Sequence, residues 1–219
     1  PFTCLENEWV YLRVLNILNI RKENKMSVTF IFSNTGDEDC GYLRHLWKGL
    51  KDVNLVEINQ NDEESVYETK TRVREALKKE TDMVVLCGHG TELGLLSPDF
   101  SYYVFDSKDL AYVKWKKVVG IWCHASEFAL MNELPGFFTS MFISNIHEYY
   151  MFIGKSIEQD IIGKHVTHFS KNVSNLIKDG VALEKWCEIL NSEKDDYDKE
   201  LTEFNYGLLS YYDSFENDG

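Results

Sequence analysis

Positive charge is scarce in this sequence. Its 23 lysine and arginine residues face 36 aspartate and glutamate residues, which gives a formal net charge of −13 at pH 7. Proteins that bind nucleic acid generally need clustered Lys and Arg to neutralise the phosphates. The charge balance therefore argues against nucleic acid as a general partner.

Long apolar runs and paired cysteines are also lacking. No apolar run approaches the roughly 20 residues that a membrane-spanning helix needs, so we predict no membrane segment. The five cysteines form no Cys-x-x-Cys pair, and their odd number does not suit a complete disulfide framework. Free cysteines of this kind are typical of a reducing compartment, and we expect a cytoplasmic protein. They are Cys4, Cys40, Cys87, Cys123 and Cys187.

The size and composition predict one globular domain with extensions. The chain has 219 residues, of which 44% are hydrophobic and 27% charged, close to the average of soluble globular proteins. We predict an N-terminal extension over residues 1–25, a core over residues 26–150, and a helical, acidic C-terminal extension over residues 151–219 that belongs to the same domain. Residues 1–25 are interpreted either as a docking helix or as sequence from upstream of a natural start at Met26.

Apolar runs alternate with helical patterns through the predicted core. Clusters of β-branched and apolar residues between turn-forming residues indicate buried strands. Because helical patterns separate these runs, we predict an α/β fold: a mostly parallel central sheet flanked by helices, with a helical C-terminal extension. The predicted strands are residues 27–32, 53–58, 83–87 and 118–122.

Three further predictions concern single elements. Residues 140–144 are predicted to form a fifth strand, and residues 201–209 a last one. Asn61, with Glu64 three residues later, predicts the capped start of the helix before the third strand.

Two of the predicted strands run directly into reactive residues. The third strand is followed by Gly88, His89 and Gly90, and the fourth by Cys123. Ligands of open parallel sheets bind outside the carboxyl ends of the strands, so both residues emerge at the binding edge. If the two strands are neighbours, the side chains of His89 and Cys123 face each other.

This pair of residue types fits nucleophilic catalysis. A thiol attacks as the thiolate, and a nearby imidazole removes its proton or stabilises the anion. A helix predicted to begin at Ala125 would place its positive end beside the Cys123 sulfur. The backbone amides of Gly90 and Cys123 can stabilise the oxygen of a tetrahedral intermediate.

The segments VVLCGHG (residues 84–90) and VVGIWCHA (residues 118–125) resemble the caspase-like cysteine peptidases, a group that includes caspases, gingipains, clostripain, separase and the CHAT domains. The resemblance covers roughly residues 27–150 and lies in the order of the motifs. With Trp122 and His124 around the cysteine, the chain is more similar to microbial or phage relatives than to animal caspases. The resemblance implies a caspase-like α/β/α sandwich that hydrolyses peptide bonds without a cofactor.

The resemblance also implies roles for individual residues. His89 is expected to be the catalytic histidine, Cys123 the nucleophile and Gly90 an oxyanion amide. The expected partner is a peptide or protein substrate, with neither nucleic acid nor membrane involved.

Residues that flank the pair are candidates for binding the substrate. They are Thr91, His124, Ser126 and Glu127. Glu127 and Asp99 are candidates for binding a basic residue before the cut, although a solvated surface carboxylate is the ordinary interpretation of either.

A metal site is a weaker interpretation of the same region. Cys87, His89, Cys123 and His124 together offer sulfur and nitrogen ligands of the kind that zinc prefers. Structural zinc sites usually show tighter cysteine spacing, so the sequence predicts no metal and no cofactor.

Three functional hypotheses follow. The first is a cysteine endopeptidase that works through an acyl-thioester on Cys123. The second is a catalytically inactive caspase-like binding module, and the third is an amidase that uses the same pair. Thiol reactivity separates the first two, because a poised Cys123 is expected to alkylate far faster than an ordinary thiol near neutral pH.

Overall fold

The computed structural model of the protein describes residues 26–213, and the predictions for residues 1–25 lie outside that range. The described residues form nine strands. These are β1 (Val28–Asn34), β2 (Val53–Asn59), β3 (Met83–Cys87), β4 (Gly90–Thr91), β5 (Gly94–Leu96), β6 (Tyr103–Asp106), β7 (Lys117–Ile121), β8 (Gly136–Thr139) and β9 (Leu209–Tyr212).

Six of these strands form the central sheet, in the spatial order β2, β1, β3, β7, β8 and β9. The first five are parallel, and β9 pairs antiparallel with β8. Strands β4, β5 and β6 form a separate antiparallel sheet of three strands. Every residue of β1 and β3 is buried, as expected for parallel strands that helices cover on both faces.

The described residues form seven α-helices, the last four of which lie between β8 and β9. They are α1 (Glu38–Gly41), α2 (Val66–Lys78), α3 (Ala125–Met131), α4 (Ile146–Ile153), α5 (Gln159–Lys178), α6 (Trp186–Ser192) and α7 (Lys199–Gly207). Three 3₁₀ helices cover Tyr42–Leu46, Ser107–Tyr112 and Leu183–Lys185.

The two faces of the sheet bury separate hydrophobic clusters. On the first face, Phe30 and Phe32 of β1 belong to a cluster that includes Phe169 of α5 and Trp186 of α6. On the second face, Ile31 of β1 belongs to a cluster built with α2, α3 and the small sheet. The predicted fold class, a mostly parallel sheet flanked by helices with helices toward the C-terminus, is therefore confirmed.

The predicted strand over residues 140–144 is wrong, and so is the predicted strand over residues 201–209. The fifth parallel strand is β8, which lies just before residues 140–144 and buries all four of its residues. Residues 201–207 lie in α7, and the last strand begins only at Leu209. Short apolar runs do not distinguish strand from helix by periodicity alone, which explains the error at residues 201–209. At residues 140–144 the prediction placed the strand directly after its actual position.

The helix cap is displaced in the same way. Ser65, rather than Asn61, caps α2: its hydroxyl accepts the N–H of Glu68 at 3.3 Å, and the Glu68 carboxylate accepts the N–H of Ser65 at 2.9 Å. Both sequences have the spacing of a capping box, but the box normally begins with serine or threonine, which favours Ser65. No helix within residues 26–213 is long and apolar enough to cross a bilayer.

Candidate active site

The strands that carry His89 and Cys123 are neighbours in the sheet. Strands β3 and β7 pair in parallel, with Cys87 opposite Ile121, and the N–H of Gly88 donates to the carbonyl of Ile121 at 3.2 Å. His89 and Cys123 each follow two residues after this last pair. Both side chains line one cavity on the first face of the sheet.

The cavity is small and largely apolar. Its volume is about 30 Å³, and its lining includes Leu43, Ile121, Phe142 and Val166 beside the two candidate catalytic residues. A volume of this size accommodates about one or two water molecules.

A tight turn at Gly88 directs His89 away from the line of β3. Gly88 has φ +141°, and a Cβ atom there would lie 2.5 Å from the carbonyl oxygen of Ser33 at the end of β1. Only glycine adopts this conformation readily, and only glycine leaves room for the backbone of β1. The turn therefore brings His89 toward the residues that follow β1.

Gly90 packs directly against the indole ring of Trp122, where a Cβ atom would clash with the ring. The indole N–H of Trp122 donates to the carbonyl of Thr91 at 3.0 Å. These contacts fix the segment after His89 to the end of β7. They hold the residues expected to form the oxyanion site, Gly90 and Cys123, on adjoining strand ends.

The direct partners of His89 are Asp37 and Cys40. The Nε2 atom of His89 lies 3.0 Å from Oδ2 of Asp37. The hydrogen bond with Cys40 is the largest cause that raises the pKa of His89 to about 9, burial opposes it, and Asp37 adds to the increase. His89 is therefore protonated at neutral pH in this arrangement.

Asp37 supports both the histidine and the helix that follows β1. It is the N-cap of α1, and its Oδ1 atom accepts the N–H of Cys40 at 2.8 Å. Burial alone would raise the pKa of Asp37, but hydrogen bonds from Thr35, Cys40 and His89 hold it below its ordinary value of 3.8. Asp37 thus carries a negative charge that keeps His89 in place.

Asp37 and Cys40 were not among the residues singled out from the sequence. They follow β1 rather than one of the two strands with an evident motif. The position of β1 beside β3 is the signal that could have found them, because the carboxyl ends of adjacent parallel strands share one edge. Asp37, Cys40 and His89 also form a group of possible metal ligands whose ligand atoms all lie within 4.8 Å of one another.

Cys123 is half-buried, and its thiol is neutral in this arrangement. Its Sγ atom lies 3.8 Å from the carbonyl oxygen of Phe142, to which the thiol donates. Burial is the largest cause that raises its pKa to about 12, and the negative charges of Glu148, Asp39 and Glu127 add to the increase. Helix α3 begins at Ala125 as predicted, but its positive end does not offset these effects.

The flanking residues lie around Glu127 rather than in the cavity. The hydroxyl of Ser126 donates to Glu127 at 2.8 Å, the hydroxyl of Ser140 donates at 3.0 Å, and Nδ1 of His124 lies 3.4 Å away. Ser126 is only 3% exposed. His124 adopts a left-handed conformation with φ +69°, a strained geometry for a residue other than glycine.

Thr91 and Asp99, the other two residues predicted to contact substrate, do not line the cavity. Thr91 lies in the small antiparallel sheet, where its hydroxyl pairs with that of Tyr103 at 3.0 Å. Asp99 lies between β5 and β6, and its carboxylate accepts from the hydroxyls of Ser97 and Ser101, both at 2.6 Å. The structure thus brings together His89 and Cys123 and leaves Thr91 and Asp99 outside their cavity.

The chain matches no protein family, no curated protein and no solved structure.

Proposed function

We propose that the protein is a caspase-like cysteine endopeptidase in which Cys123 is the nucleophile and His89 the general base. The observation that carries the proposal is the placement of the two residues. They follow neighbouring parallel strands at the carboxyl edge of the sheet, and their side chains line the same cavity. A mostly parallel sheet with helices on both faces is compatible with a caspase-like fold.

The proposed reaction proceeds through an acyl-enzyme. His89 accepts the proton of the Cys123 thiol, and the thiolate attacks the carbonyl carbon of the scissile peptide bond. The amides of Gly90 and Cys123 donate to the oxyanion that forms. The carbon–nitrogen bond then breaks as His89 returns the proton to the leaving amine. Water, activated by His89, attacks the thioester, and the acid product leaves with the thiol restored.

The arrangement described above corresponds to a resting site in this proposal. His89 is protonated and held by Asp37 and Cys40, so it has no free position for the thiol proton. Deprotonating a thiol with a pKa of about 12 costs about 7 kcal/mol at pH 7. Apo sites often tighten their catalytic hydrogen bonds only when substrate binds. Binding must therefore move the His89 ring from Asp37 and Cys40 to Cys123. Away from the partners that raise its pKa, the ring releases its proton to water and the neutral imidazole can act as the base.

The raised pKa of Cys123 favours a second candidate function. A neutral, half-buried thiol beside a cavity of about 30 Å³ is also what a binding module without catalysis would have. In that case the carboxyl edge of the sheet would hold a peptide without cleaving it. The two functions differ in whether a substrate-like electrophile becomes bonded to Cys123.

A panel of peptidyl acyloxymethyl ketones tests the proposal. The panel varies the residue before the reactive group, and the mass of the intact protein reports labelling. We expect one selective adduct that disappears in Cys123→Ala and in His89→Ala. Cys187, another half-buried free cysteine, provides the matched control, since Cys187→Ala should label as the wild type does. Equal labelling of wild type and Cys123→Ala would refute the peptidase, and no labelling by any probe would favour the binding module.

A further inference from the structure

A sulfur, a nitrogen and an oxygen ligand converge beside the catalytic cavity. They belong to Cys40, His89 and Asp37, and the three ligand atoms all lie within 4.8 Å of one another. The bond lengths of tetrahedral zinc, about 2.0–2.3 Å, place neighbouring ligand atoms roughly 3.3–3.8 Å apart. Small side-chain movements are therefore enough to close this group around an ion.

The backbone holds the three residues in place before any ion binds. Asp37 is the N-cap of α1 and Cys40 lies three residues later, so both side chains belong to the first turn of one helix. One carboxylate oxygen of Asp37 is fixed by the N–H of Cys40, while the other faces His89 at 3.0 Å. Gly88 brings His89 to this helix by its tight turn against Ser33. The ligands thus come from two adjacent strand ends.

The donor set points to a class of metal. Thiolate and imidazole ligands select zinc and similar transition metals, whereas magnesium and calcium prefer oxygen ligands alone. Three protein ligands leave a fourth tetrahedral position for water, as in zinc sites that are not purely structural. The adjoining cavity, which Cys40 and His89 both line, has a volume of about 30 Å³ and can hold that water.

We propose that Asp37, Cys40 and His89 bind a divalent ion of the zinc class, and that the bound ion inhibits the enzyme. A coordinated imidazole nitrogen has its lone pair committed to the metal. His89 is then held at the end of β1 and cannot take the proton of Cys123. The binding site stands on the three residues alone, whereas the inhibition rests on the proposed function.

Cobalt(II) provides a direct readout of the site. The full chain is titrated with Co²⁺ under anaerobic conditions at neutral pH, and absorption is recorded from the near ultraviolet to the visible. We expect thiolate-to-cobalt charge-transfer and tetrahedral d–d bands that one equivalent of Zn²⁺ abolishes. Cys40→Ser should remove the charge-transfer band and weaken Zn²⁺ binding at least about 100-fold, since even residues behind the ligands contribute 10–100-fold.

Matched variants separate the proposed site from other thiols. Cys123→Ala and Cys187→Ala should keep the full cobalt spectrum, because neither residue is a proposed ligand. Asp37→Asn preserves the size of the side chain and should weaken Zn²⁺ binding even if Cys40→Ser fails to fold. Absence of the bands in the wild type, or an unchanged spectrum in a folded Cys40→Ser, would overturn the site.

Inhibition is measured on the same protein with the ketone probe. Zn²⁺ should slow the labelling of Cys123 at least about tenfold, a chelator should restore it, and Cys40→Ser should be insensitive to Zn²⁺. If the cobalt bands appear but Zn²⁺ does not slow the labelling of Cys123, the proposed inhibition is wrong and the proposed metal site still holds. If the probe labels nothing even without metal, the proposed function fails, and the cobalt spectrum alone decides the metal site.

Discussion

The resting arrangement predicts that Cys123 reacts slowly with small electrophiles. The perturbation is alkylation of the folded protein with iodoacetamide, which needs no binding pocket and therefore reports on the thiol itself. With a pKa of about 12, Cys123 has a thiolate fraction near 3 × 10⁻⁵ at about pH 7.5. An unfolded cysteine with a pKa of about 8.5 has a thiolate fraction near 0.1 at the same pH.

The alkylation rate of a thiol depends on its thiolate fraction and on the nucleophilicity of the thiolate. The thiolate populations differ by roughly 3000-fold, but a thiolate with a higher pKa is the better nucleophile. With a Brønsted coefficient of about 0.4–0.5, the Cys123 thiolate is roughly 40-fold more reactive than the unfolded thiolate, which reduces the difference in rate by that factor. We therefore expect Cys123 in the folded protein to alkylate roughly 100-fold more slowly than the same cysteine in the urea-unfolded chain.

The assay is quenched alkylation followed by peptide mass spectrometry, which gives a rate for each cysteine separately. The rate at Cys123 should rise about tenfold per pH unit up to pH 10, whereas the unfolded chain should level off above about pH 8.5. Glu127→Gln and Glu148→Gln should each raise the rate moderately, because their charges are smaller causes than burial. A rate in the folded protein equal to that of the unfolded chain, or a plateau below about pH 8, would refute the reasoning.

Three further predictions concern stability, measured by urea unfolding. Gly88→Ala should lower the free energy of unfolding by roughly 2–5 kcal/mol, because the added methyl meets the Ser33 carbonyl and the positive φ is strained. Asp109→Ala should cost roughly 2–3 kcal/mol, since this carboxylate is fully buried and pairs with Arg74 at 2.7 Å. Asp82→Asn should destabilise at neutral pH and lose this effect in acid, because hydrogen bonds from the N–H and hydroxyl of Ser27 hold the pKa of Asp82 below 3.8.

Each stability prediction has a control. Gly41→Ala adds a methyl where nothing lies within 4 Å and should be neutral or slightly stabilising. Asp160→Ala removes an exposed pair with Lys164 and should cost at most about 0.5 kcal/mol. A lowered pKa in the folded state contributes stability above the unfolded pKa, and that contribution falls away as the pH drops through the folded pKa. A cost of Asp82→Asn that persists unchanged below about pH 3 would contradict its assignment to the ionised carboxylate.

The central strands were predictable because their signals are local. Residues 83–87 are apolar throughout and β3 covers the same residues, while the predicted strand at 118–122 differs from β7 by only one residue at each end. The placement of His89 and Cys123 at the carboxyl edge followed from these strands and from the parallel order. The order of the strands in space makes the two residues neighbours, and the sequence left that order open.

The partners of His89 were not predictable by the same route. Asp37 and Cys40 belong to a turn and a four-residue helix without a recognisable motif, and 52 positions separate Asp37 from His89. Their approach depends on β1 lying next to β3 and on the φ of Gly88, a backbone angle that no local pattern reveals. The raised pKa of Cys123 is equally non-local, because burial and carboxylates distant in sequence cause it.

His89 lines the same cavity as two cysteines, Cys40 of α1 and Cys123 after β7. In the arrangement described, Asp37 and Cys40 hold the ring, while burial keeps the Cys123 thiol neutral. The proposed peptide cleavage requires the ring at Cys123, whereas the proposed metal binding requires it at Cys40. A single imidazole cannot satisfy both cysteines at once, so any ligand that stabilises one position of His89 must oppose the function that depends on the other.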